Sequence, residues 1–77
     1  MITTKMVLKQ AKAYLAKPGN EAGGSLHLVL SDGNVENSSV EVCLKHAQEE
    51  NDYDGIRLAE TLLKISNAQR RKVYKSL

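Results

Sequence analysis

Seventy-seven residues with no Trp, no Phe and three Tyr make one small core of Leu, Val, Ile and Ala, and a chain this size buries only about 60% of the surface its unfolded form exposes. The single Cys43 excludes an intramolecular disulfide, so the chain is expected in a reducing interior. No apolar run reaches the roughly 20 residues that cross a bilayer and none follows Lys5, so neither a membrane span nor a signal peptide is expected; a net charge of +2 is modest for a dedicated polyanion binder.

Thr3 or Thr4 can cap a first helix, in which Val7, Leu8, Ala11, Tyr14 and Leu15 recur at spacings of three and four and share one face. Lys5, Lys9 and Lys12 fall on the opposite side, and Pro18-Gly19-Asn20 ends the helix. The densest apolar run, Gly23-Gly24-Ser25-Leu26-His27-Leu28-Val29-Leu30-Ser31-Asp32-Gly33-Asn34, lies between two glycine-containing breaks. Read with period two, Leu26, Leu28 and Leu30 line a strand that needs a partner across a dimer axis. Read with helical period, Leu26, Val29 and Leu30 share a face, Ser25 caps, and Gly33 stops a short buried helix. The scarcity of β-branched residues favours the helix.

Ser38 with Glu41 has the capping-box spacing, and Val40, Cys43, Leu44 and Ala47 form the stripe of a helix running to about residue 50. Asn51-Asp52-Tyr53-Asp54-Gly55 reads as a turn. Ile56, Ala59, Leu62 and Leu63 form the buried face of the next helix, with Leu58 and Ile65 at its flanks. Ser66 with Gln69 repeats the capping box and starts a last helix through Arg70, Arg71, Val73 and Tyr74. The expected fold is a single domain over residues 1–77, mainly α, a compact bundle of four to five short helices; the alternative is α+β with one strand pairing across a dimer. A core this small rarely supplies more than about 3–5 kcal/mol, so a homo-oligomer is expected.

Charge is laid out in blocks. Residues 1–20 carry +4, residues 21–60 hold all nine acids and carry −7, and residues 61–77 carry +5. Either the basic ends fold against the acidic middle and the charges offset at the surface, or the ends converge into a patch for phosphate or an acidic partner. The acidic Glu49, Glu50, Asp52 and Asp54 could instead face a protein target, mimicking nucleic acid.

The side chains that could carry chemistry are few. Cys43 and His46 lie three apart on one helix but are two ligands where zinc needs four, and Cys43 sits on the apolar stripe, so no metal site is expected. His27 with Asp32 could form a base and its orienter, with Ser25 and Ser31 as nucleophiles by type alone; nothing completes a catalytic set, and no enzyme activity or cofactor is expected. Asp32-Gly33-Asn34 is a turn rather than a calcium loop. Gly23-Gly24-Ser25 can offer backbone N–H groups to phosphate at a helix start. The basic run from Gln69 to Lys75 could contact nucleic acid, with Tyr74 available to stack, or could simply complement its own helix dipole.

Gly23-Gly24-Ser25-Leu26-His27, Val29-Leu30, Asp32-Gly33-Asn34-Val35-Glu36 and Ser66 with Gln69-Arg70 resemble a group of small proteins of tailed bacteriophages and prophages. Ser31 departs from the second acid expected beside Asp32. The resemblance implies an infected bacterial cytoplasm, where small accessory proteins disable host components or sequester nucleotide signals. The expectation carried forward is a non-enzymatic accessory protein that takes a small anionic, nucleotide-like ligand through Gly24, Ser25, His27, Asn34, Arg70 and Arg71. Inhibition of a host defence enzyme through the acidic middle, and nucleic-acid binding through the basic last helix, are the alternatives; no membrane partner is expected.

Overall fold

The computed structural model describes residues 2–17, 25–34 and 36–77, without the side chains of residues 25, 27 and 28. Thr3 opens α1 (Thr4–Ala16), its hydroxyl accepting from the Met6 N–H at 3.2 Å. Val7, Ala11 and Tyr14 are buried, while Lys5, Lys9 and Lys12 are exposed on the other side, as the spacing requires. The central stretch is helical: α2 spans Ser25–Asp32, with Leu26 and Leu30 buried and Val29 partly so. Gly33 stops it at φ +69, and the Asn34 N–H reaches back to the Val29 carbonyl at 3.2 Å, the six-to-one bond of a Schellman cap. Among the described residues there are five helices and no strand, so the strand pairing across a dimer is not the conformation adopted.

Helix α3 (Asn37–Glu49) begins earlier than the Ser38–Glu41 spacing suggests, and the capping box expected there does not form. Asn34 Oδ1 accepts the Glu36 N–H at 3.1 Å and turns the chain, so helical hydrogen bonding starts with the Val40 N–H on the Glu36 carbonyl. Helix α4 (Tyr53–Leu63) also starts early and absorbs most of the expected turn. Asn51 takes the left-handed conformation at φ 55, and Asp52 caps the helix by accepting the Gly55 N–H at 3.1 Å. Its buried face is Gly55, Leu58, Ala59 and Leu62, so Leu58, expected at the flank, is fully buried and Ile56 is only half-buried. Helix α5 (Asn67–Lys75) has the complete capping box, with Ser66 and Gln69 satisfying each other's backbone N–H groups.

The helices are neighbours in an order different from the chain. Helix α1 packs on both α5 and α4, α4 makes its broadest contact with α3, and α3 holds α2. Leu30 and Ser31 of α2 come back to Tyr74 of α5, so all five helices surround one core within 28 × 24 × 24 Å. The two basic ends of the chain are thereby brought side by side. Among the described residues no helix is long and apolar enough to cross a membrane.

Candidate functional site

The last turn of α2 and the second half of α5 enclose a groove of about 350 Å³, lined by Leu30, Ser31, Asp32, Gly33, Arg71, Tyr74 and Lys75. Arg71 and Lys75 lie one helical turn apart on α5, so they stand on one face. A second hollow of about 260 Å³ shares Leu30, Ser31 and Tyr74 and adds Leu15 and Leu77, giving the groove an apolar extension. Two cations and one acid leave its side chains at +1. The carbonyl ends of α2 and α5 also lie there and lower the positive potential further.

Tyr74 forms the floor common to both hollows. It is buried, and its hydroxyl has no hydrogen-bond partner among the described residues. Burial pushes its phenol pKa up; Arg70 pulls it down and Cys43 adds a smaller upward push. With the ring inside the core, the stacking contact expected of Tyr74 is not on offer.

Arg70 does different work from Arg71. It is 1% exposed, with Nε donating to the Leu62 carbonyl at 2.6 Å and Nη1 to Asn67 Oδ1 at 2.8 Å. The Leu62 carbonyl is one of the four that the end of α4 leaves without a helical partner, so Arg70 closes that helix from α5 rather than reaching for a ligand. Asn34 is exposed and spends its Oδ1 on the turn into α3. Gly24 and the side chains of Ser25 and His27 lie outside the described residues. Of the six expected contacts, Arg71 is the one the structure places in the groove. Lys75, Ser31 and Gly33 line the groove without being among those six; the i, i+4 spacing of Arg71 and Lys75 is the signal that would have added Lys75.

The acidic middle is partly committed inside the fold. Tyr14 Oη donates to Asp52 Oδ2 at 2.7 Å while Oδ1 of the same carboxylate caps α4. Lys17 pairs with Asp54 at 2.7 Å, the one ion pair among the described residues. The Lys17 partner lowers the Asp54 pKa, and Asp54 raises that of Lys17. These bonds cross a groove of about 540 Å³ lined by Gln10, Ala13, Tyr14, Ala16, Lys17, Asp54 and Arg57. Glu49 and Glu50 stay exposed, so half of the four-acid cluster faces solvent unengaged by these contacts. Cys43 is buried in the core, where desolvation raises its thiol pKa, while His46, three residues on, is exposed. Among the described residues no three His, Cys, Asp or Glu side chains gather as metal ligands would. No protein-family model, curated protein or solved structure matches the chain.

Proposed function

We propose that the chain is a non-enzymatic binding protein that captures a small anionic ligand in the groove between α2 and α5. The observation that carries this reading is the placing of Arg71 and Lys75 on one wall, opposite Ser31 and Gly33, with an apolar extension over Leu15, Leu30 and Leu77. Its volume lies at the lower end of the roughly 300–1,000 Å³ of ligand pockets, which suits a mononucleotide. A side-chain charge of +1 offset by two helix C-termini suits a ligand of low negative charge better than a triphosphate. The apolar part of such a ligand would lie in the extension over Leu15, Leu30 and Leu77, its charge between Arg71 and Lys75. The resemblance to bacteriophage proteins supplies a setting, the infected bacterial cytoplasm and removal of a host nucleotide signal, and the small core supplies the reason for a homo-oligomer.

Native mass spectrometry of the purified protein, followed by denaturation and analysis of what is released, tests this. A nucleotide-sized mass released from wild type and missing from Arg71→Gln supports the reading. If the protein is bare and neither AMP nor cyclic AMP binds on titration, the reading fails. Inhibition of a host protein through the acidic middle has less to draw on, because Asp52 and Asp54 already hold α4 to α1.

A further inference from the structure

We infer that the outer faces of α1 and α5 together form an interface for the phosphate backbone of duplex nucleic acid, bound without regard to sequence. Lys5, Lys9 and Lys12 stand at i, i+4 and i+7 on the side of α1 opposite Val7, Ala11 and Tyr14. Arg71, Lys72 and Lys75 stand on the exposed side of α5, and the two helices pack against each other. Neither helix contains an acid. Among the described residues none of the six cations is in an ion pair, although the chain has nine acids elsewhere. Like charges at i, i+4 destabilise a helix, and here they recur on both, at Lys5 with Lys9 and at Arg71 with Lys75. An anionic partner removes that repulsion.

The chemistry around the cations narrows the partner. A membrane-surface helix must present an apolar face to lipid, and that of α1 is already spent on the core. An acidic protein would need a desolvated anchor to grip, and Met6 is the one large exposed hydrophobic residue on either helix. A single strand would need rings to stack on, but Tyr14 and Tyr74 are buried and the exposed Tyr53 starts the acidic side of α4. Five of the six cations are lysines, which meet phosphates as point charges and do not read base edges with a fork. Net charge understates this face because all nine acids lie along residues 21–60, off both helices; Asp32, in the groove with Arg71 and Lys75, and Asp54, paired with Lys17, reach its edge.

The test is fluorescence anisotropy of the full chain with two unrelated duplexes of about 20 base pairs, titrated from about 20 to 200 mM KCl. Both duplexes should bind within about twofold of each other, with a slope of log K against log salt between about −3.5 and −5.5 for four to six phosphates. Replacing Lys5, Lys9 and Lys12 together by Gln should leave the thermal transition in place, weaken binding at least about tenfold at low salt and flatten the slope by about 2–3. Lys45→Gln on α3 should change neither. Absence of binding at the lowest salt overturns the inference, as does an unchanged slope in the folded triple variant. Preference for single strands or for phosphatidylserine vesicles overturns it too. None of the three α1 lysines lines the α2/α5 groove, so loss of duplex binding with mononucleotide binding intact separates this inference from the proposed function.

Discussion

Tyr14 and Tyr74 are buried to a similar degree, yet their hydroxyls are in opposite situations. The Tyr14 hydroxyl donates a hydrogen bond to a carboxylate, and such charge-assisted bonds contribute about 1.5–3 kcal/mol. Tyr14→Phe should therefore lower the unfolding free energy by about 1–2 kcal/mol in urea denaturation. Tyr74→Phe removes a buried hydroxyl that has no partner among the described residues, and should be neutral or stabilising by up to about 1 kcal/mol. If the two substitutions cost the same, the hydrogen-bond assignment is wrong. Burial first, then the Asp52 hydrogen bond and charge, raise the Tyr14 pKa above its ordinary 10.0. Folding thus favours the neutral phenol. The stabilisation is complete below about pH 10, where the unfolded phenol is also neutral, and is lost as pH rises towards the folded value. The stability of wild type should fall above about pH 10 more steeply than that of Tyr14→Phe.

Gly55 depends on the same carboxylate. A Cβ there would stand 2.5 Å from Asp52 Oδ2 and 3.3 Å from the Ala47 Cβ, so Gly55→Ala must push the capping side chain aside. Loss of an N-cap costs about 0.5–2 kcal/mol, against about 0.5–1 kcal/mol gained from alanine in a helix, and the Tyr14 bond is lost as well. Gly55→Ala should destabilise wild type by about 2 kcal/mol and cost much less, or nothing, in an Asp52→Ala background, where the Asp52 carboxylate no longer obstructs it and only the Ala47 Cβ must give. Additive effects in that cycle would sink the argument.

At the scale of elements, neighbouring arginines with the same side chain separate into a structural and a surface residue. Arg70 ties the end of α4 to α5, so Arg70→Gln should lower stability by about 2–3 kcal/mol through the carbonyl and amide left behind, and Arg70→Lys should not restore it. Arg71→Gln should leave the denaturation midpoint within about 0.5 kcal/mol of wild type and change binding alone. The caps were unevenly legible for a physical reason. Ser66 with Gln69 formed as the spacing implied because nothing upstream competes for those backbone groups. The same spacing at Ser38 failed because the Asn34 turn set the chain on a helical path before Ser38 was reached. Asp52 as a cap was concealed in a run that reads as a turn, and its role depends on Gly55, which donates its N–H to the carboxylate and has no Cβ to push it aside.

For the whole molecule, the core is thin. Leu58 and Leu62 of α4 are fully buried at its centre, and a Leu→Ala change in such a place costs about 2–5 kcal/mol. A domain this size holds about 3–5 kcal/mol from its own core, so Leu62→Ala should be largely unfolded as a monomer at room temperature by circular dichroism. If association adds stability, the midpoint of thermal unfolding in wild type will rise with protein concentration; a midpoint independent of concentration would mean that the 77 residues stand alone.

The sequence by itself determined the elements. Apolar spacing of three and four, Ser66 with Gln69, and Gly33 after a short apolar run are local signals, and local hydrogen bonding and burial obey them. It also determined that the charge lies in blocks, which is a property of order along the chain. Only the tertiary structure decided which blocks meet: α1 lies on α5, so the two basic ends of the chain become neighbours, and one ion pair among the described residues joins an end to the acidic middle. It decided too that Arg70 faces inward while Arg71 faces out, and that Tyr74 is core rather than surface. The physical reason is one of range. Backbone hydrogen bonds and caps act over three to six residues and are written in the spacing, whereas burial and the sharing of a surface depend on which helix lies alongside which.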